Sequence, residues 1–195
     1  MASSDVQICN LALSVLGHNQ ISTLSEGTEA SKLCALHYEP ARDAALSAFP
    51  WNFAAARATL SPLTSTPNHE FSAEFQLPVD CLQVLRIFNY TDIWRVEGRK
   101  LLAQISEVQI AYTAKVTEVG NYPPMFTQYL LHSLAALMAP RLTDNQTMAR
   151  AHTELERIRV QAAMNLSMNE GGALTQPRTR WADARVGLSQ PLVTP

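Results

Sequence analysis

Five histidines, three cysteines and a scatter of carboxylates are the side chains from which this sequence could assemble a reactive centre. His18, His37, His69, His132 and His152 have no second His or Cys at ligand spacing, and Cys9, Cys34 and Cys81 form no Cys-x-x-Cys pair. No metal site is predicted from them. Cys9 and Cys34 fall on apolar helix faces, where a thiol acts as a small hydrophobe. His132 lies in the most apolar segment of the chain; as a general base it would need a distant Cys or Asp, whereas as a packed imidazole it needs one hydrogen bond. Glu70 with Glu74 and Glu154 with Glu156 are carboxylate pairs. Glycoside hydrolysis needs two carboxyls facing across a cleft, and residues two apart do not share a helix face. There is no Gly-x-Ser-x-Gly elbow, His-Glu-x-x-His, P-loop or Gly-x-Gly-x-x-Gly, and the seven glycines are too dispersed to cradle a phosphate. The expectation is therefore no catalytic residue, no cofactor, no metal and no enzyme activity.

Two aromatic sites remain. Pro50-Trp51-Asn52-Phe53-Ala54 is the densest, and its position just after a helix predicts a joint in which Pro50, Trp51 and Phe53 lock the helix exit onto a sheet. Trp181 lies among Arg178, Arg180 and Arg185 in a C-terminal stretch without sustained periodicity. Trp and Arg are enriched at interface hot spots, so these four residues are predicted to dock a partner.

The elements that must position these residues follow from periodicity and punctuation. Ser4 with Gln7 signals a helix start; Ile8, Leu11, Ala12, Val15 and Leu16 keep helical spacing, and Gly17 is the stop. A second helix starts near Thr28, with Leu33, Leu36, His37, Ala41, Ala44, Ala45 and Phe49 as its inner face. Pro40 is expected to kink or divide it, and Pro50 to end it. Residues 59–68 read as a Ser/Thr/Pro-rich loop. Strand-like runs follow at 71–77, 82–89, 93–97, 100–103 and 108–116, with turns at Pro78-Val79-Asp80 and Glu97-Gly98-Arg99. Pro123 and Pro124 open a helix that is apolar nearly all round and hence central. A last helix is capped by Asp144 and runs to about Met168, with Leu155, Ile158, Ala162 and Leu166 inside and Arg150, Glu154 and Arg157 outside. The fold class expected is α+β: a four-helix bundle (1–54 and 119–170), a small antiparallel β module (55–118) inserted between helices two and three, and an extended tail (171–195).

Composition bounds the function. The chain has 195 residues, 47% apolar and 16% charged, with a net charge of −2, which is enough chain for one core without disulfides and too few cations for a dedicated nucleic-acid binder. No apolar run is long enough to span a membrane, and Met1–Asp5 shows no signal-peptide pattern. Three cysteines in no tight motif predict a reducing compartment. Residues 1–90 carry 8 acidic and 4 basic side chains, and residues 91–195 carry 9 and 11.

The order of motifs resembles a known family. A helix ends in Val15-Leu16-Gly17 and is followed by Ile21-Ser22-Thr23-Leu24. A second carries Cys34, Tyr38 and Arg42-Asp43 and runs into Pro50–Ala54. Then come Phe75–Val84, Trp94–Gly98 and an Ala/Leu helix over Leu130–Leu142. Over about residues 4–170 this pattern is similar to the head-to-tail adaptors of tailed bacteriophages, of the tail tubular protein A type. The resemblance implies a homo-oligomeric ring, typically dodecameric, under the portal protein. The ring extends the DNA channel, passes DNA without binding it specifically, and presents a platform to the downstream tail or nozzle protein. It also implies a place at the head–tail junction of the virion, after synthesis in the host bacterial cytoplasm. In several such adaptors the C-terminal tail clamps the portal; here that tail is 171–195, with Arg178, Arg180, Trp181 and Arg185 as anchors. Two alternatives stay open: a tail completion or terminator protein, and a virion-associated cell-wall hydrolase.

Overall fold

The computed structural model describes residues 4–65, 67, 70–143, 154, 160–165 and 167–168. It is a mixed α+β fold with two small antiparallel sheets. Helix α1 (Asp5–Val15) starts at Ser4, whose side chain accepts from the Gln7 amide, one of the donors that a helix start leaves without a partner. It ends in a Schellman turn: Gly17, at φ +71°, donates to Ser14 while His18 donates back to Leu13. The buried stripe is Ile8, Cys9, Ala12, Leu13 and Leu16. Leu11 and Val15, expected inside, are on the exposed flank, because the stripe follows the i, i+1, i+4, i+5 positions that face both partner helices at once.

Helix α2 (Glu29–Ser47) is capped by Thr28, which accepts from the Ser31 amide. It runs unbroken past Pro40, whose ring lies on the exposed side. The expected inner face needs correction. Leu36 and Ala44 are exposed, and the buried stripe is Ala30, Ser31, Cys34, Tyr38, Ala41, Arg42, Ala45 and Leu46. The polar side chains on that face have partners: Ser31 donates to the Thr28 carbonyl at 2.9 Å, Tyr38 donates to Asp5 on α1 at 3.0 Å, and Arg42 Nε pairs with Asp43 at 2.9 Å.

The chain then forms six strands. They are β1 (Ala55–Leu60), β2 (Ala73–Gln76), β3 (Cys81–Ile87), β4 (Arg95–Glu97), β5 (Lys100–Ala103) and β6 (Val108–Ala114). One sheet has the order β1-β6-β3 and the other β2-β5-β4, all pairs antiparallel. Strand β1 lies where periodicity predicts no strand and overlaps the predicted loop at residues 59–60; its sequence Ala-Ala-Arg-Ala-Thr-Leu has little intrinsic β preference and becomes a strand by pairing with β6. The β4–β5 hairpin closes through the two-residue turn Gly98-Arg99, with Gly98 at φ +59°. Cys81 donates to Pro78 across the turn that carries the chain from β2 in one sheet to β3 in the other. The two sheets share one core, with Phe75, Leu101 and Ala103 facing Leu60, Ile87, Val108, Ile110 and Tyr112.

Helix α3 (Pro124–Leu142) has Pro124 in its first turn and buries Phe126, Tyr129, Leu130, Leu131, His132, Leu134, Ala135, Met138 and Ala139. It packs on both α1 and α2 in a second core. Helical backbone returns at 160–165 and 167–168, where Ala163 and Ser167 are buried and Ala162, expected inside, is exposed. Leu155, Ile158, Leu166, Arg150, Arg157 and Asp144 lie outside the described residues.

Charge pairs tie the second sheet together. Lys100 Nζ lies 2.6 Å from Glu74 across β5 and β2, and Ser65 donates to the same carboxylate at 3.0 Å. Lys100 first, then Ser65, holds the Glu74 carboxyl below its usual value of 4.5. A carboxyl so lowered stabilises the fold above that usual value and loses the effect as pH falls through its depressed one. The melting temperature of the wild type should therefore exceed that of Glu74→Gln at neutral pH, with the gap closing below pH 4.5. A gap independent of pH would refute the pairing.

Candidate functional site: the aromatic joint between helices and sheets

The last turn of a helix leaves carbonyls without intrahelical donors. In α2 one of these is the Ala45 carbonyl, and the Trp51 indole donates to it at 2.8 Å. The chain reverses through Phe49 and Pro50 to make this bond, with the Trp51 amide donating to Phe49 at 2.9 Å. The indole is 2% exposed and edge-on to Phe49 and Phe126, with centroids 5.2 and 5.4 Å away. Phe53 packs on Phe126 at 4.9 Å and on Tyr122 at 6.1 Å, and Tyr129 closes the far side of Trp51. Most of these contacts are edge-to-face, the arrangement that aromatic quadrupoles favour.

Trp51 and Phe53 thus come together, but against α3 and not against a sheet as expected; Pro50 stays exposed and only turns the chain. The indole bond to Ala45 holds Trp51 against the end of α2, where α3 packs beside it, and the 3-10 turn at Asn52–Ala54 that carries Phe53 precedes β1. Asn52 extends the joint to the C-terminal helical residues: its amide donates to Ser167 Oγ at 3.2 Å and its side chain donates to the Ser167 carbonyl.

A second set of contacts fixes the sheets to the helices. Asp43 at the end of α2 takes Arg42 Nε on one oxygen and Lys115, just past β6, on the other, both at 2.9 Å. Tyr122 donates to the Val116 carbonyl at 2.8 Å, and burial pushes its phenol up to about 12. Burial likewise raises the Tyr38 phenol. Arg42 is 3% exposed; burial opposes its charge, and the Asp43 hydrogen bond and charge outweigh that and raise its pKa. Arg42 Nη2 and Thr113 Oγ1 are buried without a hydrogen-bond partner among the described residues.

Of the reactive side chains weighed from sequence, Cys9 and Cys34 fall in one core, Cys81 in the other and Glu74 on the second sheet. Cys9 and Cys34 meet in the helical core, where Cys34 lies 3.7 Å from Met138 Sδ. The hydrogen bond to Cys34, and then burial, raise the Cys9 thiol, so it stays protonated. Glu70 lies 3.7 Å from Arg95, and Glu74 lies 2.6 Å from Lys100. His132 is packed in α3. His69, His152 and Glu156 lie outside the described residues, as do Arg178, Arg180, Trp181 and Arg185. Among the described residues no group of three or more His, Cys, Asp or Glu is placed to hold a metal, and no helix is long and apolar enough to cross a membrane.

Sequence reading did not single out Arg57, Arg86 and Phe88, which meet on the face of the first sheet turned away from the shared core. Both guanidinium carbons lie over the Phe88 ring, at 5.3 and 4.4 Å from its centroid. The i, i+2 spacing of Arg86 and Phe88 signals a shared face, but Arg57 joins them only through the unexpected strand β1. No protein-family model matches the chain, and no curated protein matches it.

Trp51→Ala removes the indole and leaves a cavity at the joint, so it should destabilise by about 3–5 kcal/mol, measured by urea unfolding. Trp51→Phe keeps a ring but strands the Ala45 carbonyl, for a loss of about 1–3 kcal/mol. The opposite sign is expected at Thr113→Val, where removing an unpaired buried hydroxyl should add about 1 kcal/mol in the same assay.

Proposed function

We propose that this chain is a structural virion protein, a head-to-tail adaptor. It assembles with copies of itself into a ring, dodecameric in the family it resembles, beneath a portal protein. The ring extends the DNA channel and carries the downstream tail or nozzle protein, with no chemical turnover. In this reading α1, α2, α3 and the C-terminal helical residues make a four-helix bundle, and residues 55–118 are its inserted β module. Arg178, Arg180, Trp181 and Arg185 are the anchors toward the portal.

The observation that carries the reading is where the resembling motifs fall. Val15-Leu16-Gly17 makes the Schellman end of α1, and Pro50–Ala54 is the joint that sends the chain from α2 into β1. Phe75–Val84 spans the crossing from β2 to β3, Trp94–Gly98 is the β4 hairpin arm, and Leu130–Leu142 is the body of the central helix. The motifs fall on element ends, crossings and the central helix, which is what a shared fold would keep in order.

The surface supports it too. A ring needs two different contact surfaces on each subunit, because its interfaces are head-to-tail. Exposed apolar side chains occur in two sets. Among the described residues Leu11, Val15, Leu36, Leu137 and Met168 are on helical backbone, and Val79, Ile93 and Val96 are around the second sheet, with Val79 96% exposed. These sets lie on different elements, as two distinct contact surfaces would require.

Native mass spectrometry of the full chain, alone and with its cognate portal, tests the reading. A closed ring in either sample is expected; a monomer indifferent to the portal would overturn it. Deleting 171–195, or Trp181→Ala, should weaken portal capture while the melting temperature of the remaining fold is kept.

A further inference from the structure

We propose that the outer face of the β1-β6-β3 sheet is a docking site for an extended, carboxylate-bearing segment of a partner protein, gripped by Arg57 and Arg86 on either side of Ala111. The inference does not rest on the ring reading.

Register places the two arginines. Arg57 on β1 and Arg86 on β3 both pair with Ala111 on the central strand, so the three residues form one cross-strand row. Their α-carbons are then about 10 Å apart, two strand spacings. The methyl of Ala111 leaves a gap between two long cations. In the next row Thr59 pairs with Gln109, and Phe88 donates to the Gln109 carbonyl at 2.8 Å. An open pocket of about 210 Å³ lies here, lined by Arg57, Thr59, Phe88 and Gln109. Both arginines lean over the one Phe88 ring, which restricts their rotamers before any ligand arrives.

Charge accounting identifies the occupant. Residues 55–118 hold six cations. Arg95 pairs with Glu70, Lys100 with Glu74 and Lys115 with Asp43, and Arg99 donates to the carbonyls of Pro78, Val79 and Cys81. Arg57 and Arg86 are the two with neither a carboxylate nor a carbonyl partner among the described residues. A guanidinium presents a planar fork that matches a carboxylate bidentately. Two such forks converging on one ring fit acidic side chains at i and i+2 of an extended segment, which project on one face about 7 Å apart. The same segment's intervening backbone amides can meet Gln109 and Thr59. A nucleic-acid strand fits less well. The 55–118 region carries seven carboxylates against its six cations, and polyelectrolyte binding scales with the number of phosphates neutralised.

The test titrates the full-length protein, isotopically labelled, with the peptide Gly-Glu-Val-Glu-Val-Glu-Gly at low ionic strength and follows backbone amide shifts. A saturable response centred on Arg57, Arg86, Phe88, Gln109 and Ala111 is expected, together with none from the Gln-for-Glu peptide. Arg57→Ala and Arg86→Ala should each weaken binding roughly tenfold. Both side chains are exposed, and circular dichroism melts check that the variants stay folded; if either does not, the Glu-versus-Gln comparison on the unmodified protein decides. Absence of saturation, equal binding of the two peptides, shifts centred elsewhere, or unchanged affinity in folded arginine variants would each overturn the proposal. So would tighter binding of a short single-stranded oligothymidylate through the same two arginines, since the occupant would then be a nucleic acid.

Discussion

The hydrogen bond from the Trp51 indole to the Ala45 carbonyl sets the direction in which the chain leaves its second helix. A helix end must give its last carbonyls to something, and here the donor comes from six residues downstream, which forces a tight reversal. The indole then has Phe126 and Tyr129 of α3 against it and Phe53 beside it. One side chain thus completes the end of α2, joins α2 to α3 and delivers the backbone to β1. Strand β1 in turn needs β6 as its partner, and β6 is the central strand on which β3 also pairs. Losing the indole would free the helix end and the start of the first sheet together.

The interface between helices and sheets is built differently from the two cores it joins. Each core is almost wholly apolar, whereas the junction holds Asp43 between Arg42 and Lys115, with Tyr122 on the Val116 carbonyl. Polar contacts are directional, so they fix the orientation of the sheets on the helices where apolar contact would allow sliding. That precision is incomplete in energy terms, because Arg42 Nη2 and Thr113 Oγ1 are buried there without a partner among the described residues. Unpaired groups of this kind cost stability and mark the junction as a place where orientation is held at some expense.

Among the described residues Cys9 and Cys34 are packed together and Glu74 is paired with Lys100, while exposed apolar side chains and the guanidinium groups of Arg57 and Arg86 face outward. The adaptor reading and the arginine docking face draw on different observations, the first on where the motifs fall in the fold and the second on an unbalanced charge row.

Local signals made much of the architecture legible in the sequence. Ser4, Gly17 and Thr28 end or begin helices because each satisfies or releases backbone groups within a few residues of itself, and Gly98-Arg99 closes a hairpin for the same local reason. The apolar ring of residues around Leu130 and Leu134 announced a central helix. Four things were decided only when distant segments met. Strand β1 exists because β6 supplies its hydrogen bonds, not because alanines favour strands. Tyr38 faces inward where Asp5 of α1 receives it, and Arg42 is buried where its partner Asp43 also takes Lys115 from past β6. Trp51 faces a helix and not a sheet because its bond to the Ala45 carbonyl holds it at the end of α2, where Phe126 of α3 packs on it. Arg57 and Arg86, 29 positions apart in the sequence, share a row only through the register of a third strand. Backbone capping is a short-range energy that any one segment can reveal. Burial of a polar group and pairing of strands are differences between partners, and a single segment does not contain its partner.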